Sequence, residues 1–163
     1  MRRPLSWILV LLALAGCAIP PAPLFAQAAS TVPPLAAGMA RIYFYRDYEP
    51  YESLGRPAIF LNGQTTGISI PGGAFYRDVA PGTYRVTVST NYDFYPNLIY
   101  PDELGDVPLA VGETRYFKIE SLRSWTERKG FSRDTFVVAL IDPRQAVREL
   151  PRMRYLPSES TAF

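Results

Sequence analysis

The sequence predicts an all-β protein, specifically an antiparallel β-sandwich with one short helix near its C-terminus. About seven short segments of strand character follow one another from residue 39 onwards, with turn signals between them. The 11 tyrosines and 9 phenylalanines favour strands, and the 16 prolines disfavour long helices. With 163 residues, 48% of them hydrophobic, the chain has the size and composition of a single folded domain.

The first half of this domain is predicted to contain one strand, a hairpin and a further pair of strands. The segment "ARIYFYR" (40–46) alternates tyrosines with apolar residues, as a half-buried strand does. The segment "PAIFLNGQTTGISI" (57–70) predicts a hairpin because Asn62-Gly63 is a favoured two-residue turn. Another turn signal, Pro-Gly, divides the two strands expected within 75–89.

The second half is predicted to contain a strand–turn–strand unit at 107–121, a strand at 134–141 and a helix at 143–150. Because 134–141 is apolar on both faces, it is expected at the centre of a sheet. The helix begins with proline, which suits a first helical position. Residues 151–163 are expected to be a C-terminal tail, loose after Leu156. The predicted core consists of Ile42, Phe44, Ile59, Leu61, Val86, Val88, Phe117, Ile119, Val138 and Leu140.

The N-terminal segment has the pattern of a secretory signal. Two arginines at positions 2 and 3 precede an apolar run (5–14) that is too short to span a bilayer. The sequence "LAGC" (14–17) then resembles the lipobox of bacterial lipoproteins. The resemblance implies cleavage before Cys17, a diacylglycerol on its thiol and an acyl chain on its new amine, which together form a durable membrane anchor.

A second cleavage signal leaves an alternative open. The A-x-A pattern at 26–28 would permit a cut after Ala28, which would release a soluble secreted periplasmic protein without a cysteine. This site lies beyond three prolines and far from the apolar run, so cleavage before Cys17 is the expectation. Alanine rather than aspartate follows Cys17, which in lipoprotein sorting implies the outer membrane, with the protein facing the periplasm.

The stretch from 18 to 38 is predicted to be a tether. It contains no charged residue and is rich in alanine and proline, which favours an extended linker. At about 3 Å per residue, such a linker would hold the domain some tens of ångströms from the membrane. The alternative is that Leu24, Phe25 and Leu35 pack back on the domain.

The order of motifs within 39–150 carries a family resemblance. An opening strand that ends in Tyr-Arg is followed by "IFLNG", Gly67, Phe75, "VAPGTYRV" and "VGETRYFKI". This order resembles an uncharacterised bacterial family of small envelope lipoproteins, classed as a domain of unknown function, and it is similar to PEGA-type repeats. The resemblance implies a transthyretin-like or immunoglobulin-like sandwich, and it implies no activity or catalytic residue.

The residue types offer little for catalysis. The chain has no histidine, and its one cysteine is the expected lipid carrier. Thiol catalysis, zinc binding and histidine acid–base chemistry are therefore not expected, and neither a P-loop nor a nucleophile elbow occurs. We expect no enzymatic activity, cofactor or metal. The alternative is a carbohydrate-active hydrolase that uses the carboxylates of one loop. Those carboxylates are Asp93, Asp102, Glu103 and Asp106.

Aromatic residues in two long loops are the candidate partner-binding residues, because tyrosine offers stiff, amphipathic contact area. They are Tyr48 and Tyr51 in the loop 46–57, and Tyr92, Phe94, Tyr95 and Tyr100 in the loop 90–106. If both loops lie at one end of the sandwich, they form one patch; alternatively, they roof the core. A secondary candidate surface, for anionic headgroups or peptidoglycan, consists of Arg123, Trp125, Arg128 and Lys129.

The expected function is that of a non-enzymatic, lipid-anchored envelope protein. Its sandwich is expected to bind or scaffold a partner, which is another envelope protein or peptidoglycan. Without Arg2 and Arg3, the 17 basic residues fall to 15 and balance the 15 acidic ones. Nucleic acid is therefore not an expected partner.

Overall fold

The computed structural model describes residues 22–48, 53–89, 104–126 and 130–157, with the backbone alone for 122–126 and 130–135. Cys17 and the predicted signal lie outside these residues. Two short α-helices occur in the described part, each followed by a 3₁₀ helix: α1 (Phe25–Ala28), Ala29–Thr31, α2 (Pro143–Glu149) and Leu150–Arg152. The strands are β1 (Ala40–Tyr45), β2 (Ala58–Leu61), β3 (Gln64–Ile68), β4 (Gly73–Val79), β5 (Gly82–Tyr84), β6 (Val86–Val88), β7 (Val107–Leu109), β8 (Thr114–Thr126), β9 (Gly130–Ile141) and β10 (Arg154–Tyr155).

These strands form three sheets, and the predicted all-β, sandwich-type fold is confirmed. The largest sheet has the order β10-β4-β1-β8-β9; the others have the orders β3-β2-β6 and β5-β7. Most neighbouring strands pair antiparallel, but β1 pairs parallel with β8, and β10 pairs parallel with β4. A parallel pair needs a connection that returns the chain to its starting end, and strands β2 to β7 make this return between β1 and β8.

The predicted hairpin at Asn62-Gly63 is confirmed. Strands β2 and β3 pair antiparallel, and the two turn residues have positive φ angles of 51° and 77°, as a type I′ turn requires. The Asn62 side chain also holds the next strands, since its Oδ1 accepts from Arg85 N at 2.7 Å and its Nδ2 donates to Thr83 O at 3.3 Å. The turn thus fixes both the hairpin and its neighbour.

The main core lies between the five-stranded sheet and the smaller sheets. Six of the ten predicted core residues are buried there: Ile42, Phe44, Ile59, Val86, Phe117 and Ile119. Leu61, Val88 and Val138 are partly buried against them. Gly67 and Phe75, two members of the motif order, meet in this core. A Cβ on Gly67 would lie 2.5 Å from Phe75 Cζ, so the ring requires glycine at this position.

Two predictions about β9 were wrong. The strand lies at an edge of the five-stranded sheet in the described part of the chain, not at its centre. Leu140, predicted to be in the core, is exposed. Both errors have one cause: the apolar run fits an edge strand equally well, because Phe136 faces the main core while Ile141 packs on the other side of the sheet.

A helical layer, formed by residues 25–31 and 143–152, covers the outer face of the five-stranded sheet. Phe25 packs edge-on against Tyr43 and Tyr155, with ring centroids 5.7 and 5.6 Å apart. Phe25 N donates to Met153 O at 2.7 Å, and Tyr155 N donates to Pro23 O at 2.8 Å. Residues 23–31 are therefore docked on the domain, which agrees with the alternative stated for Phe25, and the extended linker expected over 18–38 is wrong for these residues.

The C-terminal segment completes this layer. The helix predicted at 143–150 is confirmed as α2, and Asp142 Oδ1 caps it by accepting from Arg144 N at 2.8 Å. The residues that follow are not a separate tail up to Leu156. Strand β10 joins the sheet beside β4, and Leu156 N donates to Ala74 O at 2.8 Å. A two-residue strand shows no periodicity, so this pairing could not be predicted from the sequence.

Candidate functional site

The loop that follows β1, residues 46–57, is called the Tyr48 loop here and is described at 46–48 and 53–57. Tyr48 and Leu54 are 64% and 71% exposed, the highest values among the large hydrophobic side chains that the structure describes. Tyr51, the second predicted binding residue in this loop, lies outside the described residues. The loop thus presents two large apolar side chains to solvent within a short stretch of chain.

Arg46 holds the base of this loop. Its side chain is only 1% exposed, and its guanidinium donates to Gly55 O at 2.8 Å and to Ser53 O. The same guanidinium lies 4.8 Å from the centre of the Phe136 ring. The charge-assisted hydrogen bonds join the first residue of the loop to its last part, and the cation–π contact holds Arg46 against β9. The exposed residues of the loop therefore project from a fixed base.

The second predicted loop begins beside the first. Ser89, the last described residue before it, donates from its backbone to Ala58 O, and its Oγ accepts from Ala58 N, both at 2.8 Å. Ala58 directly follows the Tyr48 loop, so the chain enters 90–103 at the same end of the fold. The predicted binding residues in this segment lie outside the described residues; they are Tyr92, Phe94, Tyr95 and Tyr100.

Of the four carboxylates considered for a hydrolase, only Asp106 lies within the described residues. Asp106 Oδ1 accepts from Arg85 Nε at 2.8 Å, and both side chains are more than half exposed. This carboxylate is therefore engaged in a solvent-exposed ion pair. Asp93, Asp102 and Glu103 lie outside the described residues.

The part of β8 that carries two residues of the secondary candidate surface, Arg123 and Trp125, extends towards the same end of the fold as the Tyr48 loop. Strand β1 pairs only with the first part of β8, from Thr114 to Lys118, and β8 and β9 then continue as a two-stranded hairpin beyond the end of β1. Arg123 and Trp125 belong to this extension, but their side chains lie outside the described residues. Arg128 and Lys129 also lie outside them. The Tyr48 loop and the strand segment that carries Arg123 and Trp125, which the sequence analysis takes as separate surfaces, therefore both follow from the same end of the sheet.

A polar cluster under α2 was not predicted. Lys118 Nζ lies 2.5 Å from Asp47 Oδ2 and 3.4 Å from Glu149 Oε2, and Tyr45 Oη donates to Glu149 Oε2 at 2.7 Å. Gln145 Nε2 donates to the other Glu149 oxygen at 2.8 Å. The cluster joins β1, β8 and α2. The only part of it that a local sequence pattern indicates is the polar helix face formed by Gln145 and Glu149.

The ionisation of this cluster suits a structural role. Burial, followed by the contact with Glu149, raises the pKa of Tyr45 well above its ordinary value. Burial lowers the pKa of Lys118, but Asp47 and Glu149 outweigh it and raise that pKa overall. Burial raises the pKa of Glu149, but its contacts with Gln145, Tyr45 and Lys118 outweigh burial and lower that pKa below its ordinary value of 4.5. None of the three groups is moved towards neutral pH, where a general acid or base would titrate.

A row of tyrosines crosses the outer face of the five-stranded sheet. Tyr43 lies opposite Tyr76 on one side and Tyr116 on the other, and it stacks on Tyr116 with ring centroids 5.3 Å apart. Arg41 lies 4.2 Å from the centre of the Tyr76 ring and pairs with Asp78 through two hydrogen bonds of 2.6 and 2.8 Å. The alternation in 40–46 had placed Tyr43 on this face, whereas the row itself depends on pairing between distant strands.

The described residues do not form a metal centre, and the crevice beside Phe44 is narrow. They contain no group of three or more residues suited to hold a metal ion. The crevice between Phe44, Ser69 and Leu156 is too narrow to admit a water molecule. No helix within the described ranges is long and apolar enough to cross a membrane.

Comparison with known proteins identifies a family. A family model described as "Protein of unknown function (DUF2846)" matches residues 36–131. No curated protein and no solved structure matches the chain significantly. The match covers β1 to β8 and the first two residues of β9, and it includes the Tyr48 loop and every buried residue of the main core except Phe136. Since it spans 96 of the 163 residues, the chain belongs to the DUF2846 family.

Proposed function

We propose that this protein is a non-enzymatic bacterial envelope lipoprotein whose β-domain binds an envelope protein through the Tyr48 loop. The observation that carries the proposal is the exposure of Tyr48 and Leu54 on a loop whose base is held by Arg46. Large apolar side chains on a preorganised loop lose little conformational entropy on binding, and this favours their use as anchors. Peptidoglycan is the alternative ligand, and the experiment below separates the two.

The membrane anchor in this proposal is a lipid on Cys17, with the protein held at the outer membrane and facing the periplasm. The sequence "LAGC" is its main support. The docking of Phe25 adds a physical argument against the alternative cut after Ala28. That cut would remove Phe25 from its contacts with Tyr43 and Tyr155 and would expose their rings. Cleavage before Cys17 keeps this packing in the mature protein.

The partner is tested by photo-crosslinking in living cells. A photo-reactive phenylalanine derivative replaces Tyr48, and the matched control carries it at Val111. Val111 is 63% exposed and lies in the turn before β8, at the opposite end of β1 from Tyr48. We expect one recurrent protein to be captured at Tyr48 and not at Val111.

Two other outcomes contradict the proposal in different ways. Glycan fragments captured only at Tyr48 would replace the protein partner with peptidoglycan. The same diffuse set of products at Tyr48 and Val111 would show that the Tyr48 loop has no dedicated partner. Replacement of Leu54 by serine should reduce the specific product, because Leu54 shares the exposed surface of the loop.

A further inference from the structure

The outer surface of the helical layer is basic. Arg144 and Arg148 lie one turn apart on α2, Arg152 ends the 3₁₀ helix that follows, and all three side chains are exposed. In the described part of the chain, none of them forms an ion pair with a carboxylate. Glu149, the nearest acid on α2, is turned inward to Tyr45 and Lys118. Among the described residues, these three exposed arginines outnumber the one exposed acid of this surface, Asp142, which caps α2, so the surface has a net positive charge.

An exposed aliphatic residue lies among these arginines. Val147 is 57% exposed; it lies on the same helix face as Arg144, three residues before it, and is adjacent to Arg148 in the chain. Leu24, on the docked N-terminal segment, is also exposed and forms a β-bridge with Arg154, a fourth exposed arginine. Exposed arginines attract anionic headgroups, and an exposed aliphatic side chain beside them can enter the headgroup region of a membrane.

The path of the chain keeps this surface near the membrane. Pro23 and Phe25 are hydrogen-bonded to Tyr155 and Met153, so the N-terminal segment leaves the domain from within the helical layer. Seven residue steps separate Cys17 from Leu24, and a fully extended chain of that length spans at most about 25 Å. A lipid on Cys17 would therefore hold the helical layer within reach of the lipid headgroups.

We propose that the helical layer docks on anionic phospholipid headgroups of the membrane that holds Cys17. Arg144, Arg148 and Arg152 contact the phosphates, and Val147 enters the headgroup region. Docking fixes the orientation of the whole domain on its membrane, which a flexible tether alone would leave free. This inference rests on the lipid anchor proposed above.

The test uses the full lipoprotein, purified from membranes and reconstituted in vesicles. Its only native cysteine is Cys17, so a fluorophore on Val147→Cys is specific once Cys17 carries lipid. The matched control is Thr65→Cys, an exposed position on β3. The helical layer covers one face of the five-stranded sheet, and the sheet that contains β3 packs against the opposite face. Quenching by spin-labelled lipids then reports which position lies at the membrane.

We expect quenching at position 147 in vesicles that contain phosphatidylglycerol and not in vesicles of phosphatidylcholine alone. High salt should abolish this quenching, and position 65 should show none in either case. Arg148→Gln or Arg152→Gln should each shift the docking equilibrium by about fivefold. Arg85→Gln removes the same charge from an exposed position outside the helical layer and should have no effect.

The outcomes separate this inference from the anchor. Protein that fails to float with phosphatidylcholine vesicles lacks a working lipid anchor, and both proposals then fail. Protein that floats but shows equal quenching at 147 and 65, or the same quenching in both lipids, refutes headgroup docking alone. An equal response of Arg148→Gln and Arg85→Gln also refutes it.

Discussion

Arg46 is a charged residue whose side chain is almost wholly buried, and it determines whether the Tyr48 loop has a fixed base. Arg46→Lys keeps the charge but loses the planar fork that reaches Ser53 O and Gly55 O and the stacking on Phe136. We expect a loss of about 2 to 3 kcal/mol in the free energy of unfolding, measured by denaturant titration. Arg56→Lys, at an exposed position of the same loop, should change it by less than about 0.5 kcal/mol. Equal effects of the two substitutions would show that Arg46 does not hold the loop.

Glu149 gives the fold a pH dependence whose sign follows from its lowered pKa. Burial opposes this shift, but Gln145, Tyr45 and Lys118 outweigh it. The stabilisation is therefore complete above the ordinary value of 4.5 and is lost as the pH falls through the lowered value. Glu149→Gln should unfold more easily at pH 7, by about 1 to 3 kcal/mol, and should lose less stability than the native chain between pH 5 and pH 3. Parallel pH profiles for the two proteins would contradict this assignment.

The sequence left two alternatives for Tyr48, an exposed binding residue or part of a roof over the core. The structure shows Tyr48 exposed, its role in binding stays a prediction, and the residues that support its loop were not predicted. Arginines are mostly exposed in proteins, so nothing local distinguishes Arg46 from the other sixteen basic residues. Its burial arises only when the loop closes on it and β9 places Phe136 beside it. Leu54 was missed for a related reason, because an isolated leucine in a loop gives no sign of its exposure.

At the scale of elements, α1 lies in the stretch that the composition predicts to be an extended linker, yet it packs on the five-stranded sheet. Phe25→Ala removes the ring that contacts Tyr43 and Tyr155 and should lower the free energy of unfolding by about 1 to 3 kcal/mol, since the ring is only partly buried. Leu24→Ala, at the adjacent exposed position, should cost less than about 1 kcal/mol. Chemical denaturation of the two variants compares these values, and equal small losses would mean that the segment is not docked.

Elements set by local chemistry were predictable, and those set by distant pairing were not. The Asn62-Gly63 turn and the start of α2 at Pro143 depend on the backbone preferences of one or two residues. The order of the sheet depends on β1 meeting β8 across about seventy residues of chain, which no local pattern encodes. The edge position of β9 and the pairing of β10 with β4 follow from the same long-range arrangement.

At the scale of the molecule, the domain carries the two surfaces proposed above for binding a partner and a membrane. The Tyr48 loop projects from the end of the sheet at which β1 stops, and the helical layer covers the outer face. In the two proposals, the lipid on Cys17 and the arginines of the helical layer would orient the domain on its membrane, and this orientation would determine how the Tyr48 loop meets its partner. Both proposals require that Cys17 remain in the mature protein.

The most direct test of this requirement is the mass of the N-terminal peptide of the protein purified from its native membrane. We predict a peptide that begins at Cys17 and carries a diacylglycerol on the thiol and an acyl chain on the amine. A peptide that begins at Ala29, or one that retains an unmodified Cys17, would contradict the account.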